Sequence, residues 1–105
     1  MGDITVLYNT KSEWGATLLY SVVLSNASIN HSARIGTHCT INTSAVIEHD
    51  NVMEAFAHNS VGAKLGGTVH VGKSIWIGIG ATVINNVGIC SECTIGAGAV
   101  VIKIV

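Results

Sequence analysis

Charge is scarce in this chain. Only 10% of its 105 residues are charged and the net charge is −1, where a soluble monomer carries about a quarter. A short chain with so little charge is expected to cover part of its surface with another subunit. No basic run or block occurs, which argues against nucleic acid as a partner, because phosphate binding needs clustered Lys and Arg. No segment reaches the roughly 18 apolar residues of a membrane span. The best stretch, Ala16 to Leu24, is too short and contains Tyr20 and Ser21. The N-terminus carries Asp3 and no basic region, so no signal peptide is read there. Cysteines are few and odd in number: Cys39, Cys90 and Cys93. Cys90 and Cys93 form a C-x-x-C, but without a second pair or a redox context. A reducing cytoplasm is the simpler reading.

What is abundant is a period of six. Val23, Ile29, Ile35, Ile41, Ile47, Met53, Asn59, Leu65, Val71, Ile77, Val83, Ile89, Ile95 and Val101 are evenly spaced, and only Asn59 is polar. A second series, four residues further on, runs from Ala27 to Val105 and is small or apolar except at Asn51. Glycine follows the aliphatic residue at Gly36, Gly66, Gly72, Gly78 and Gly96. The period is neither 3.6 nor 3.5, and a turn every six residues excludes a flat sheet. Each unit supplies one short strand and one corner, and three units make a triangular coil of eighteen residues. Long aliphatics fill the axis, small residues fit the corners, and the glycines are expected to allow the turn dihedrals. The expected fold is all-β: a parallel β-helix of hexapeptide repeats over residues 23–105, four to five coils long. Residues 1–22 fall outside the count and are read as an N-terminal cap or strand. Ile4 to Tyr8 is expected as a strand, Asn9 to Gly15 as a turn, and Trp14 as cover for a core edge.

Residues eighteen apart stack in columns. One column is His31, His49, Gly67, Asn85 and Lys103; another is Thr40, His58, Trp76 and Thr94. His49 is flanked by Glu48 and Asp50. A neutral imidazole is a suitable general base, and a carboxylate beside it orients it and raises its basicity. Gly67 leaves space below His49 that would admit a thioester. Trp76 beside His58 offers an apolar wall for a pantetheine chain or an adenine. The inward asparagines, Asn51 and Asn59, fall in the same stretch. They read either as markers of a functional site, where local rules fail, or as satisfied core amides. His31, His38 and His70 read as surface or packing residues. Metal binding finds little support: the gaps between the five histidines are 7, 11, 9 and 12 residues. The zinc enzymes that share such a repeat, the gamma-class carbonic anhydrases, place paired ligands five apart. No metal is expected.

Three segments carry a resemblance: IGTHCTINTSAVIEHD, AHNSVGAKLGGTVHVGKSIWIGIGATV and IGAGAVVIK. Together they resemble the hexapeptide-repeat acetyltransferases, most closely the bacterial group acting on sialic acids (O-acetylation) and UDP-sugars (N-acetylation). The more specific elements are Glu48-His49-Asp50, a second histidine nine residues on at His58, and Gly62-Ala63-Lys64-Leu65-Gly66-Gly67. The resemblance implies a left-handed coil and a homotrimer with active sites between adjacent subunits. It implies that His49 takes the proton from an amine or hydroxyl acceptor, which attacks the acetyl-CoA thioester directly, with Asp50 assisting. It also places His58 and the backbone at Ile79 and Ala97 at acetyl-CoA. With Gly67 and Trp76, these make the expected cofactor-binding set. Asn85, or the amides around Gly66 and Gly67, are candidates to stabilise an oxyanion.

The chain departs from that pattern in three ways. It has no Gly-rich phosphate loop and only a short non-repeat segment where family members carry a nucleotide-sugar domain. It lacks the G-x-P-A-K-type tail and any proline. Met53-Glu54 stands where I-G is usual. The expected function is acetyl-CoA-dependent transfer to an amine or hydroxyl, of a sugar by family analogy, in the cytoplasm. The competing expectation is a non-catalytic trimeric β-helix that binds a partner.

Overall fold

The computed structural model describes residues 21–105 throughout, and the backbone of three earlier strands, Ile4–Val6, Lys11–Ser12 and Thr17–Leu19. The chain is a parallel β-solenoid with three faces. The first sheet stacks Ile4–Val6, Ser21–Val23, Thr40–Ile41, His58–Asn59, Trp76–Ile77 and Thr94–Ile95. The second stacks Lys11–Ser12, Ser28–Ile29, Val46–Ile47, Lys64–Leu65, Thr82–Val83 and Val100–Val101. The third stacks Thr17–Leu19, Arg34–Thr37, Val52–Met53, His70–Val71 and Gly88–Ile89. Every pairing is parallel, and from Val22 onward each residue pairs with the one eighteen positions away, as Thr40↔His58↔Trp76↔Thr94 shows.

The six-residue count builds this prism for a simple reason. The aliphatic series points inward: Ile29, Ile41, Ile47, Leu65, Val71 and Ile77 are all at most 1% exposed. Full burial of such a side chain contributes about 1.5–3 kcal/mol. The small series closes the corners, with Ala27, Ala33, Ala45, Ala63 and Ala81 fully buried. Both exceptions stay inside: Asn51 and Asn59 are buried without exposure.

The coil begins earlier than a strict count reveals. Ile4 pairs with Ser21, Lys11 with Ser28 and Thr17 with Arg34, each seventeen residues on. The missing residue is made up by a register shift between Leu18 and Leu19, after which Leu19 pairs with Thr37. Within the segment expected as a turn, Lys11–Ser12 is a strand, because its neighbour Ser28–Ile29 offers an open ladder edge. The expected turn residues around it, and Trp14, lie outside the described residues.

The glycine expectation needs correction. Positive φ falls on the third residue after each aliphatic, not the first: Asn26, Ser32, His38, Ser44, Asp50, Phe56, Thr68, Ser74, Asn86 and Glu92, with Gly62, Gly80 and Gly98 in the same register. An L-residue in this region costs about 1–2 kcal/mol. The stack repays it. The amide of the left-handed residue donates to a carbonyl nineteen residues back, as in Asp50→His31, Thr68→His49 and Asn86→Gly67, at 2.9–3.1 Å. The glycines at the first position serve another purpose. A Cβ on Gly66, Gly72 or Gly78 would meet the backbone of the next coil at 2.6–2.7 Å.

Candidate functional site

The corner between the second and third sheets carries Glu48-His49-Asp50-Asn51, between strands Val46–Ile47 and Val52–Met53. Asp50 takes the left-handed position, with φ +56°. Its carboxylate is thereby turned back on its neighbour: Oδ2 lies 3.0 Å from His49 Nδ1. A carboxylate accepts only, so the neutral ring carries its proton on Nδ1 and leaves the Nε2 lone pair free. Glu48 plays no part in this. Its Oε2 accepts from Asn30 Nδ2 at 2.8 Å, one coil away.

His49 is held on both faces. Above it, His31 stacks at 5.4 Å between centroids and 10° between planes. Below it lies Gly67, where a Cβ would sit 2.5 Å from Nε2 and 2.6 Å from Cε1. The space left by the missing side chain is therefore taken by the imidazole, with Nε2 over bare backbone. The side chains of His49 and Asp50 are each about half exposed, at 46% and 52%. Beside Asp50 runs an open groove lined by Ser32, Arg34, Asp50 and Val52. Arg34 is the only arginine in the chain.

The inward Asn51 fixes this corner from behind. Its Nδ2 donates to the carbonyls of Glu48 and Gly66, both at 2.8 Å, and lies 3.4 Å from that of His49. One side-chain amide thus ties the His49 turn to the Gly66 turn below. Asn51→Ala is expected to cost about 1–3 kcal/mol, since buried carbonyls lose a donor. Asn59 makes a single 3.4 Å contact to the Ala63 carbonyl, so Asn59→Ala should cost less. Urea unfolding of the two variants measures the difference; equal losses would remove the special role of Asn51.

The other expected residues lie elsewhere on the prism. His58 and Trp76 point out from the first sheet and stack face to face, 3.9 Å between centroids and 2° between planes. Burial against the indole pushes the His58 pKa below its usual 6.5. The sign follows from linkage: a depressed histidine stabilises the fold above pH 6.5, and that contribution is lost as pH falls through the folded value. An NMR titration of the His58 ring should give a midpoint under 6.5; a midpoint above it would mean that desolvation does not dominate at this ring. Ile79 and Ala97 sit on the corner between the first and second sheets. Ile79 is 62% exposed, and its carbonyl accepts from the Gly98 amide at 2.8 Å.

Nine residues separate His49 from His58, which is half of an eighteen-residue coil. One chain therefore gathers His49, Asp50 and Gly67 at one corner and sets His58 and Trp76 on the opposite face. Of the amides suggested for an oxyanion, Gly66 is committed to the Val83 carbonyl at 2.7 Å. One pair escaped the sequence reading: His70 Nε2 lies 2.6 Å from Glu54 Oε2. Column arithmetic does not give it, because His70 stacks on Val52 and meets Glu54 only diagonally, two residues further along the neighbouring chain segment. Among the described residues, no three His, Cys, Asp or Glu side chains converge as metal ligands would. Among the described residues there is no helix long and apolar enough to cross a membrane.

No family model matches the sequence. Solved structures do match the fold. The acetyltransferase domain of PglB from Neisseria gonorrhoeae superposes with a TM-score of 0.96 at 29% identity, over 98% of this chain. The chain's structural neighbours are acetyltransferases. GDP-perosamine N-acetyltransferase from Caulobacter crescentus, as a His→Ala variant in complex with CoA and GDP-perosamine, gives 0.96 at 30% identity over 99% of the chain. PerB from the same organism, also with CoA and GDP-perosamine, gives 0.89 at 28% identity. The chain spans about half the length of these neighbours, 50–51% of each.

Proposed function

We propose that this chain transfers an acetyl group from acetyl-CoA to an amine or hydroxyl of a sugar-class acceptor, with His49 as the general base. The observation that carries the reading is the His49–Asp50 pair held over Gly67, in a fold shared with acetyltransferases bound to CoA and an amino-sugar nucleotide. His49 Nε2 takes the proton of the acceptor as its nitrogen or oxygen attacks the thioester carbonyl. The carbon–sulfur bond breaks, and the departing CoA thiolate recovers that proton from the imidazolium. Asp50 stabilises the imidazolium through Nδ1. No acyl-enzyme forms, and His58, Trp76 and the backbone at Ile79 and Ala97 hold the acetyl-CoA. The compartment in this reading is the cytoplasm.

Because His49 and His58 stand half a coil apart, the reading requires two chains at each site. We place His49 of one subunit opposite His58 and Trp76 of the next, in a homotrimer with three equivalent clefts. Exposed apolar groups at Val61, Trp76 and Ile79 support such a contact. Mixing His49→Ala and His58→Ala chains by refolding tests it. In a cyclic trimer, about a quarter of the sites receive both intact residues, so activity returns to that fraction. No return would place both residues of each site in one chain.

The direct test is calorimetric titration with CoA and acetyl-CoA, which needs no knowledge of the acceptor. Saturable binding near one per chain is expected, weakened by His58→Ala. Absence of binding at millimolar CoA would leave a trimeric scaffold as the function.

A further inference from the structure

The remaining chemistry lies at the corner between Gly88–Ile89 and Thr94–Ile95, in side chains given no role in acyl transfer. Cys90 and Cys93 face each other there with Sγ atoms 2.7 Å apart. The backbone explains the approach. Ser91 and Glu92 are the central residues of the turn, and Glu92 has φ +62°. The ends of such a four-residue turn lie within about 7 Å of each other, and disulfides span Cα separations of about 4.4–6.8 Å. Equivalent corners carry Gly36 with Cys39, Glu54 with Ala57 and Gly72 with Ile75. Only this one places a thiol at both ends.

The two thiols are not equivalent. Cys90 is exposed and Cys93 is partly covered. Their contact raises the Cys93 pKa, as expected when its S–H donates to Cys90. Cys39 is different again: it is 1% exposed, lies 3.2 Å from the Glu54 carbonyl, and burial pushes its thiol up.

We propose that Cys90 and Cys93 are a thiol–disulfide exchange site that closes reversibly with low-molecular-weight disulfides such as glutathione disulfide. The Cys90 thiolate attacks one sulfur of the disulfide and expels one glutathione thiolate. The Cys93 thiol then loses its proton and attacks Cys90 Sγ, expelling the second glutathione. Two protein thiols are oxidised and one glutathione disulfide is reduced to two thiols. The inference does not rest on acyl transfer. It does touch the same face, because the Cys93 carbonyl accepts the Trp76 amide at 3.1 Å.

Incubation with millimolar glutathione disulfide, followed by intact mass and thiol titration after unfolding, tests the site. The wild-type chain should become lighter by two hydrogens, keep one titratable thiol at Cys39, and carry no glutathione. Cys93→Ser should instead retain one glutathione, held at Cys90 with no thiol to resolve it. A wild-type chain that stays fully reduced, keeps glutathione as the variant does, or links to a second chain overturns the proposal.

Discussion

His49→Ala is expected to lower kcat by about 10²–10⁴-fold, the usual contribution of a general base, with CoA affinity unchanged. The physical basis is local. The ring is half exposed, so its loss opens no core cavity. Its contacts are the Asp50 carboxylate, the His31 ring and the backbone at Gly67. The hydrogen bonds that join this coil to the next do not use the ring: the Thr68 amide donates to the His49 carbonyl and Asn51 Nδ2 to the Gly66 carbonyl. Thermal unfolding should therefore match the wild type. Steady-state kinetics with the natural acceptor, beside a CoA titration, separates the outcomes. Undiminished turnover would remove His49 from the mechanism, and a collapse in CoA affinity would assign it to binding.

Gly67→Ala should come close to the same loss without touching His49 itself. Its φ lies outside the left-handed region, so alanine is tolerated by the backbone. The new methyl would stand 2.5 Å from His49 Nε2, and the neighbour that must give way is the end of a side chain. The imidazole swings off the column, Nε2 leaves its place over the backbone, and the Asp50 bond is broken or misdirected. Gly66→Ala is the informative contrast. There the methyl would meet Asn85 N at 2.7 Å and Asn85 Cα at 3.1 Å, and two coils must separate. Overpacking of this kind costs about 1–3 kcal/mol. Gly67→Ala should thus lose activity and keep its melting temperature, while Gly66→Ala melts lower. A Gly67→Ala variant with undiminished acetyl transfer would mean that His49 does not occupy this position during the proposed reaction.

The solenoid was legible because every inward position repeats at one interval, and the columns followed by arithmetic. The stacking of His31 on His49 and of His58 on Trp76 came from that arithmetic alone. What the count missed has local causes. The coil before Val22 is one residue short, so its strands sit out of phase with the repeat. The glycines one residue after the aliphatic were assigned to turn dihedrals, yet the left-handed positions lie two residues further on and are mostly Asn, Ser, Asp, Thr, His, Phe and Glu, with glycine at only Gly62, Gly80 and Gly98 among the described residues. Inter-coil hydrogen bonds make that tolerable, and no single unit reveals them. Spacing alone made Glu48 and Asp50 equivalent beside His49, and only the family resemblance singled out Asp50; the physical reason its carboxylate meets the ring is the left-handed turn at Asp50. Asn51 was visible as an exception, but the contact that ties two coils together, to the Gly66 carbonyl fifteen residues later, depends on the stacking of the next coil.

The exact eighteen-residue pairing makes the chain sensitive to the size of an insertion rather than to its presence. Eighteen added residues lengthen the prism by one storey and return every downstream side chain to its own face. Six added residues also satisfy the inward pattern, so the core would close and the chain would fold. Everything beyond them, however, would be turned by one face. Placed between Asp50 and Gly67, such an insertion would remove the glycine from beneath His49 and set another residue there. Two proteins with indistinguishable cores would then differ in whether they carry a site at all. Duplication in this architecture is neutral to the fold at every multiple of six, and neutral to the chemistry only at every third.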